Sequence, residues 1–550
     1  MQLGSYYKYH YLAASMWLLV GGYQIWNLRN VPIGDFANYY YASQALLEGE
    51  VEEAQLYEPY SFNLWVNQRS PETVFVNYAP VPPVSVLAYL PFAKILDVYQ
   101  AKMIFNIVGL IFFVAVFFFG MREMRQDEKY MQEEASSLVG KERLFPALPT
   151  LAILLIPFVL WTPLLNNFFQ GQSYLYIVSF LWLGYIFWKK DKGYLTTLCW
   201  ALAISLKIFP AIVLLLLLVR GGYRIFGWTM ALILVISALP ILGTGASTVL
   251  EYYQQILPRL FAGEINDPFT ILYQSPRVFI DQLLIYDGHL NDTPLIHIPW
   301  LANLLYLVFQ WCILGLVIQL IHKKEIPTSL AFGATIVAGL LLSGYGSNYS
   351  MLLLFFPAVA ILSTDQIQKP WHWIMGLALL FLASNIPIYK LEEWPFLFQF
   401  PRMYALLIVF IGMYVLLRPK PQPKIWLLIG GLLILKWGWS GTPQNHLTNY
   451  YLPDGQYPII FDYESTTGGL LLKHYRGQGA EEDFHSTTDR IYEDAQLSIQ
   501  DQQIYFAGQR LTANKGRKKK PMRLNDNKII YLSDEGRGVG FYTLRKLRLP

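Results

Sequence analysis

The sequence predicts an all-α polytopic membrane protein of about 11–13 transmembrane helices, with a small β-rich extracytoplasmic domain at its C-terminus. Three observations carry that prediction. Of the 550 residues, 54% are hydrophobic and only 15% charged, where a soluble domain carries about 25% charged residues; the mean hydropathy is +0.33. The apolar residues gather into many runs of membrane length. From Gly441 onward the composition turns polar and charged. A net charge of +4 is small for such a chain and gives no reason to expect nucleic acid as a partner. Cys199 and Cys312 both fall in apolar runs, which excludes a disulfide framework in an exported part. The counts of 16 Trp and 38 Tyr are those of many interfacial belts and also suit a carbohydrate site.

In chain order, the first apolar run, Tyr11–Leu28, reads as a retained signal anchor, because no small-residue cleavage site accompanies it. Further spans are expected near Ala101–Gly120, Leu148–Leu165, Tyr174–Trp188, Ile225–Leu242, Leu301–Ile321, Leu330–Leu342, Met351–Leu362, Trp373–Ile388, Met403–Arg418 and Ile425–Trp439. Cationic loops stay cytoplasmic. Those at Lys8, Arg122–Arg143, Lys189–Lys192, Arg220–Arg224, Lys323–Lys324, Lys369 and Arg418–Lys424 therefore predict a multi-pass protein of the cytoplasmic membrane with its N-terminus inside. Two stretches do not fit a simple count. If Val84–Leu96 spanned, the basic loop Arg122–Arg143 would face outward, so it is expected as a juxtamembrane or re-entrant helix. Leu195–Arg220 has basic loops at both ends and Lys207 and Pro210 in its middle. A hairpin of two short helices meeting near Lys207 satisfies the charge rule; each arm has roughly 12–14 residues and reaches about 20 Å, too short to cross.

The outside parts are then 30–83, the turn Asn166–Gln172, the long loop 243–299, the turn Ser343–Asn348, the stretch "KLEEWPFLFQFPR", and everything after Ser440. Residues 1–440 form the transmembrane domain and 441–550 a β-rich domain whose role the sequence does not define. Its segments "AQLSI", "QQIYFAG", "NKIIYLSD" and "VGFYTL" are β-branched and aromatic between turn residues. The basic run Lys515–Lys520 reads as a solvated loop more readily than as a contact for anionic lipid or glycan. No internal repeat of solenoid length is present.

Several polar features share one side of this topology. Asp35 opens the first outer loop, in "NVPIGDFANYYYASQALLEGE"; "FVNYAPVPP" closes it; "FFQGQ", with Gln170 and Gln172, is the next outer turn; "YQSPR", with Arg277, lies in the long loop. A lone juxtamembrane Asp is usually a helix cap or a solvated residue. Lys207 is different: a lysine inside an apolar run costs about 2.5–3.5 kcal/mol on insertion scales and calls for an anionic partner. No Asp or Glu lies in its hairpin, so the partner is a carboxylate from another segment or a phosphate on a ligand. A buried cation, an outer acid and many aromatics together point to a lipid-phosphate substrate carrying a polar group. No Asp-x-Asp or clustered His set calls for a metal.

These motifs resemble glycosyltransferase family 87. "GDFANYYYASQALLEGE…LYEP" is similar to its "DF-x-x-Y-x-A-x-x-L-x-x-G…Y-D-P" opening, and "FVNYAPVPP" to its "Y-x-P…P" segment. The stretch from "NNFFQGQ" to "LVRGGYR" is similar to its block of Gly-Gln, basic loop, buried Lys and Pro, the most specific of the three. The resemblance covers roughly residues 1–420 and implies a GT-C-like fold. It implies an inverting hexosyltransferase that moves a sugar, mannose in the family, from a polyprenyl-phosphate donor to a hydroxyl on a lipid or glycan acceptor, with no metal or other cofactor. Carried over residue by residue, it makes Asp35 the general base. It makes Lys207, with Arg277 as a second candidate, the donor-phosphate ligand. Tyr39, Tyr78, Gln170 and Gln172 are then sugar or donor contacts, although Gln170 and Gln172 are equally readable as a tight turn. The chain departs from the family at "SGYGSNYSMLLLFFP", which lacks the family's histidine; Asn348, Tyr349 or Ser350 occupies its place. Two other readings compete. A transporter or flippase of lipid-linked saccharides would show paired halves with corresponding broken helices, and no such duplication is visible. A lipid-diphosphate-dependent oligosaccharide ligase or polymerase would show more than one essential outer arginine.

Overall fold

The computed structural model describes residues 3–549 apart from 73, 136–146, 265–267, 289, 345, 364–369, 392, 420–422, 441–448, 453–458, 477–478, 515 and 526. The basic residues Lys141, Arg143, Lys369 and Lys420 lie outside the described residues, as does Lys515. The chain is mostly helical and ends in a small β region.

The helices pack around a large apolar core running from Trp17 through Phe113, Leu181, Trp200 and Leu341 to Phe410, all buried. Among the described residues, two helices qualify as membrane spans by length and composition, Val98–Gly120 and Pro299–His322. Two further pairs qualify only as bent spans. The expected span Leu148–Leu165 breaks by 52° between Ile153–Val159 and Trp161–Gln170, and the expected Ile225–Leu242 turns by 103° from Tyr223–Ala238 into Ile241–Ala262. Pro157 interrupts the first and Pro240 stands at the second turn; proline removes a helical hydrogen bond and clashes with the preceding turn. The remaining apolar helices are 10–17 residues long, so an even count of 11–13 full spans overstates their regularity.

The stretch around Lys207 is a hairpin. Its first arm, Gly193–Leu206, ends at Lys207, whose extended backbone breaks the helix. The return arm is a 3-10 turn, Phe209–Val213, leading into Leu214–Val219. Both ends lie on one side. The first arm starts against Ile225, 3.2 Å from where a Gly193 side chain would stand, and the second ends at Arg220, just before the helix Tyr223–Ala238. Arg220 closes that side by donating to the carbonyls of Ile321 at 3.0 Å and Ile326 at 2.9 Å.

On the opposite side lies a second apolar cluster, built by the first outer loop. Its helix Phe36–Glu48 runs antiparallel to Ser85–Ile95. Ser43 Oγ donates to the Val86 carbonyl at 2.7 Å near one end, and Tyr40 donates to the Leu96 carbonyl at 2.9 Å near the other. The stretch Val84–Leu96 thus holds a helix of 11 residues, Ser85–Ile95. The β region packs onto this same side. Ile460–Thr466, Gly469–Arg476 and Gly479–Ser486 form one antiparallel sheet. Thr543–Arg548, Lys528–Ser533, Lys518–Leu524 and Ile491–Tyr492 form a second, in that order, and Leu497–Arg510 holds a third. The described part of the basic run, 516–520, is not the expected solvated loop. It opens a strand, with Arg517 2% and Lys518 0% exposed. Arg517 donates to the Tyr57 carbonyl and pairs with Glu251 at 3.0 Å, while Lys519 meets Glu58 at 3.3 Å and Lys520 meets Asp462 at 2.6 Å. Cation and carboxylate come from segments far apart in the chain, which is why composition alone misreads the run.

Candidate active site

One cavity of about 1030 Å³ opens where the outer loop, the "QGQ" turn, the tip of the Lys207 hairpin and the β region converge. Asp35 sits at its wall, at the N-terminus of the helix Phe36–Glu48. Two glycines let the chain approach itself there. Gly34 has φ +64° and no room for a side chain, since a Cβ would lie 2.6 Å from Gln170 Oε1. Gly171, at φ +63°, would place one 2.7 Å from Phe36. Left-handed backbone in tight contact is a glycine requirement.

The close approach brings both glutamines of the turn onto the acid. Gln170 Oε1 accepts the Asp35 backbone N–H at 3.0 Å. Gln172 Nε2 donates to Asp35 Oδ2 at 2.7 Å, and its Oε1 accepts the Tyr39 hydroxyl at 2.9 Å. Tyr39 is itself held flat against Tyr89, 4.5 Å away at 8°. The Tyr349 hydroxyl hydrogen-bonds the Asp35 carboxylate from another side. Burial pushes the Asp35 carboxyl above the usual carboxylate range, against the Gln172 bond and the charges of Lys207 and Lys102, which pull it down. A carboxylate that is ionised yet poorly solvated is a better proton acceptor than one in water.

Lys207 lines the same cavity. Among the described residues it forms no ion pair; its Nζ stands 5.9 Å from the Tyr174 ring, and Asp35 is the carboxylate whose charge reaches it. Both of the partners expected for it thus remain open, a carboxylate across the cavity and an anionic ligand within it.

The other expected site residues divide. Tyr39, Gln170, Gln172, Asn348 and Tyr349 line the cavity with Asp35 and Lys207. Asn348 Oδ1 has no protein partner, and Tyr349 packs on Tyr174 at 5.2 Å. Arg277 also lines the cavity, but its charge is already answered: its Nε donates to Asp281 at 2.7 Å and its Nη1 to Asn303 at 3.0 Å, and it lies over Tyr306. Its Nη2 is buried without a partner among the described residues. Tyr78 is a correction. It is fully buried between Tyr57 at 5.3 Å and Phe62, and the cavity is lined instead by its neighbours Asn77, Pro80 and Val81. A turn closed by the Val81 N–H on the Tyr78 carbonyl at 2.9 Å carries the chain past the cavity here, and the Tyr78 ring is packed away from it.

Sequence reasoning missed Asn38, Lys436, Phe75 and Phe541, which also line the cavity. Asn38 was accessible, because three residues past Asp35 it falls on the same helical face; Phe541 gave no signal. Among the described residues no three His, Cys, Asp or Glu side chains converge on one point. A search of curated proteins and a search of solved structures each found no match. The model of glycosyltransferase family 87 matches residues 81–357, which take in the "QGQ" turn, the Lys207 hairpin, Arg277 and Tyr349 but begin after Asp35. With just over half of its length matched, the chain belongs to glycosyltransferase family 87.

Proposed function

We propose that this glycosyltransferase moves a sugar, mannose, from a polyprenyl-phosphate donor to an acceptor hydroxyl, with inversion, at the extracytoplasmic face of the cytoplasmic membrane. The observation that carries the reading is one cavity holding a half-buried, hydrogen-bonded carboxylate and a lysine that forms no ion pair among the described residues. In the reaction the acceptor oxygen attacks the sugar's anomeric carbon as the bond from that carbon to the phosphate oxygen breaks. The leaving polyprenyl phosphate keeps the bonding electron pair. Asp35 takes the proton of the attacking hydroxyl, which is a poor nucleophile until it is removed. Lys207 faces the charge that collects on the phosphate, where a fixed cation in a water-poor cavity acts strongly. Gln172 holds the carboxylate, and Tyr39 holds Gln172. In this reading the basic loops are cytoplasmic and the β region is exported.

The test is transfer by the purified full chain from polyprenyl-phosphate-mannose, with wild type set against Asp35→Asn and Lys207→Met. Transfer near the wild-type rate by Asp35→Asn would remove the base from the mechanism. A flippase would bind the donor and transfer nothing.

A further inference from the structure

The β region does more than sit beside the cavity: it supplies part of its wall. Phe541, in the loop before the last strand, lines the cavity together with Ile459 and with Phe75 of the first outer loop. The rings of Phe75 and Phe541 meet edge to face at 5.6 Å and 79°, and both keep part of their surface open. The loop carrying Phe541 is fixed by buried polar contacts. Asn77 Nδ2 donates to the Val539 carbonyl at 2.7 Å. Gly540, at φ +85°, lies so close to Pro59 that a Cβ would stand 2.4 Å from it, and its N–H donates to Asp534 at 3.0 Å. Asp534, 0% exposed, also accepts the Arg517 N–H at 2.7 Å and pairs with Arg259 at 3.3 Å. Tyr542 reaches Glu58 at 2.8 Å. Buried charge pairs contribute little net stability and serve better to fix a geometry.

The fixed geometry presents a defined chemistry. Beside the two rings stands Asn38, on the Asp35 face of its helix. Its Oδ1 is occupied by the Asn77 N–H at 2.6 Å, and among the described residues its Nδ2 hydrogens have no partner. Aromatic surface next to an open amide, within one helical turn of the acid, suits a ligand with an apolar C–H face and hydroxyl edges. A pyranose ring has both; an acyl chain uses only the rings, and a simple alcohol neither face well.

We propose that Phe541 of the β region, with Phe75 and Asn38, forms the acceptor subsite, and that the acceptor presents its hydroxyl from a sugar ring. This rests on the reading of Asp35 as the base. The experiment uses the full chain in lipid nanodiscs and measures binding by saturation-transfer NMR. The probes are methyl α-D-mannopyranoside and methyl α-D-glucopyranoside, with 1,6-hexanediol as a non-sugar alcohol. Wild type and Asp35→Asn are expected to bind at least one glycoside. Phe541→Leu, which keeps an apolar side chain in the loop, and Asn38→Ala are each expected to raise its Kd at least tenfold, while Phe541→Trp holds it within about threefold. Unchanged thermal unfolding of Phe541→Leu separates lost binding from lost folding. Failure of wild type to bind either glycoside, equal binding by Phe541→Leu and wild type, or equal loss of glycoside and hexanediol binding each overturns the sugar subsite. Full transfer activity in Asp35→Asn alongside the expected binding results would instead overturn the base and leave the subsite standing.

Discussion

Gln172 offers the sharpest test of how the acid is prepared, because it holds the acid without exchanging a proton itself. Its amide donates to Asp35 Oδ2 at 2.7 Å and accepts from Tyr39 at 2.9 Å, and it is 3% exposed. Gln172→Met keeps the length and approximate volume of the side chain and deletes both bonds. A hydrogen bond to a charged group contributes about 1.5–3 kcal/mol. The bond favours the ionised carboxylate, so its loss favours the protonated one. At about 1.4 kcal/mol per factor of ten, the ionised fraction on the acid side of the pH profile falls about 10- to 150-fold. The assay is kcat/KM for sugar transfer across pH. The acid limb is expected to move toward higher pH, with a smaller drop on the plateau where the acid is ionised in both enzymes. Glutamate at this position is a poor substitute, since a second carboxylate repels the first. An unchanged acid limb in Gln172→Met, with a uniform loss at every pH, would refute the claim that Gln172 tunes the acid and leave it a packing residue.

Three further outcomes follow from the same structure. Asp35→Asn is expected to lower kcat by about 10²- to 10⁴-fold, the usual contribution of a general base, and to raise the melting temperature at neutral pH. The sign follows from the raised carboxyl pKa: that contribution to stability is present below the ordinary value of 3.8 and lost as pH rises through the folded-state value, so the charge opposes folding at pH 7; scanning calorimetry at pH 7 and near pH 4 checks it, and a lower melting temperature at pH 7 contradicts it. Lys207→Met is expected to weaken binding of a non-hydrolysable polyprenyl-phosphate-sugar analogue about 10- to 150-fold, at about 1.5–3 kcal/mol for a charge-assisted bond, with acceptor KM unmoved; equal donor affinity removes the lysine from the phosphate. Asp534→Ala leaves Arg259 buried without one of its carboxylates and is expected to cost about 3–5 kcal/mol, read as faster proteolytic release of the β region; protection equal to wild type means the interface is held elsewhere.

What was legible in the chain was whatever a local rule could read. Lys207 stood out because a lysine in an apolar run has no cheap explanation, and the basic loops at both ends of its segment required a hairpin; the structure has that hairpin. The helix Ser85–Ile95 followed from the same charge argument. Asp35 and the "QGQ" turn were marked by motif, but not their bond to each other, which spans 137 residues. Tyr78 was misplaced because the chain turns there, with the Val81 N–H on the Tyr78 carbonyl, and no periodicity over so short a stretch tells which side chains a turn sends into a cavity. The basic run Lys515–Lys520 failed for a different reason. Lysine-rich sequence is read as solvated unless its carboxylates are visible nearby, and here Glu58, Glu251 and Asp462 come from three distant segments. The bends at 52° and 103° were hidden because hydropathy sums along a run and carries no direction.

The arrangement of Asp35 and Lys207 has a physical logic of its own. A buried acid and a buried base in one cavity lower their electrostatic cost by closing on each other. Here they share a cavity without forming an ion pair. The acid is held by neutral groups, the Gln172 amide and the Tyr349 hydroxyl, and the lysine is turned toward the Tyr174 ring. A direct pair would stabilise the empty protein, but it would fill the space between the two charges and make the carboxylate a weaker proton acceptor. Neutral donors hold the acid and leave the lysine's charge unpaired across the cavity, among the described residues. Tyr349 is one of the three residues, with Asn348 and Ser350, that stand in the neighbourhood where the family resemblance leads one to expect histidine. A hydroxyl there supports the carboxylate without adding a second titrating group beside it, so one residue, Asp35, sets the acid limb of the pH profile.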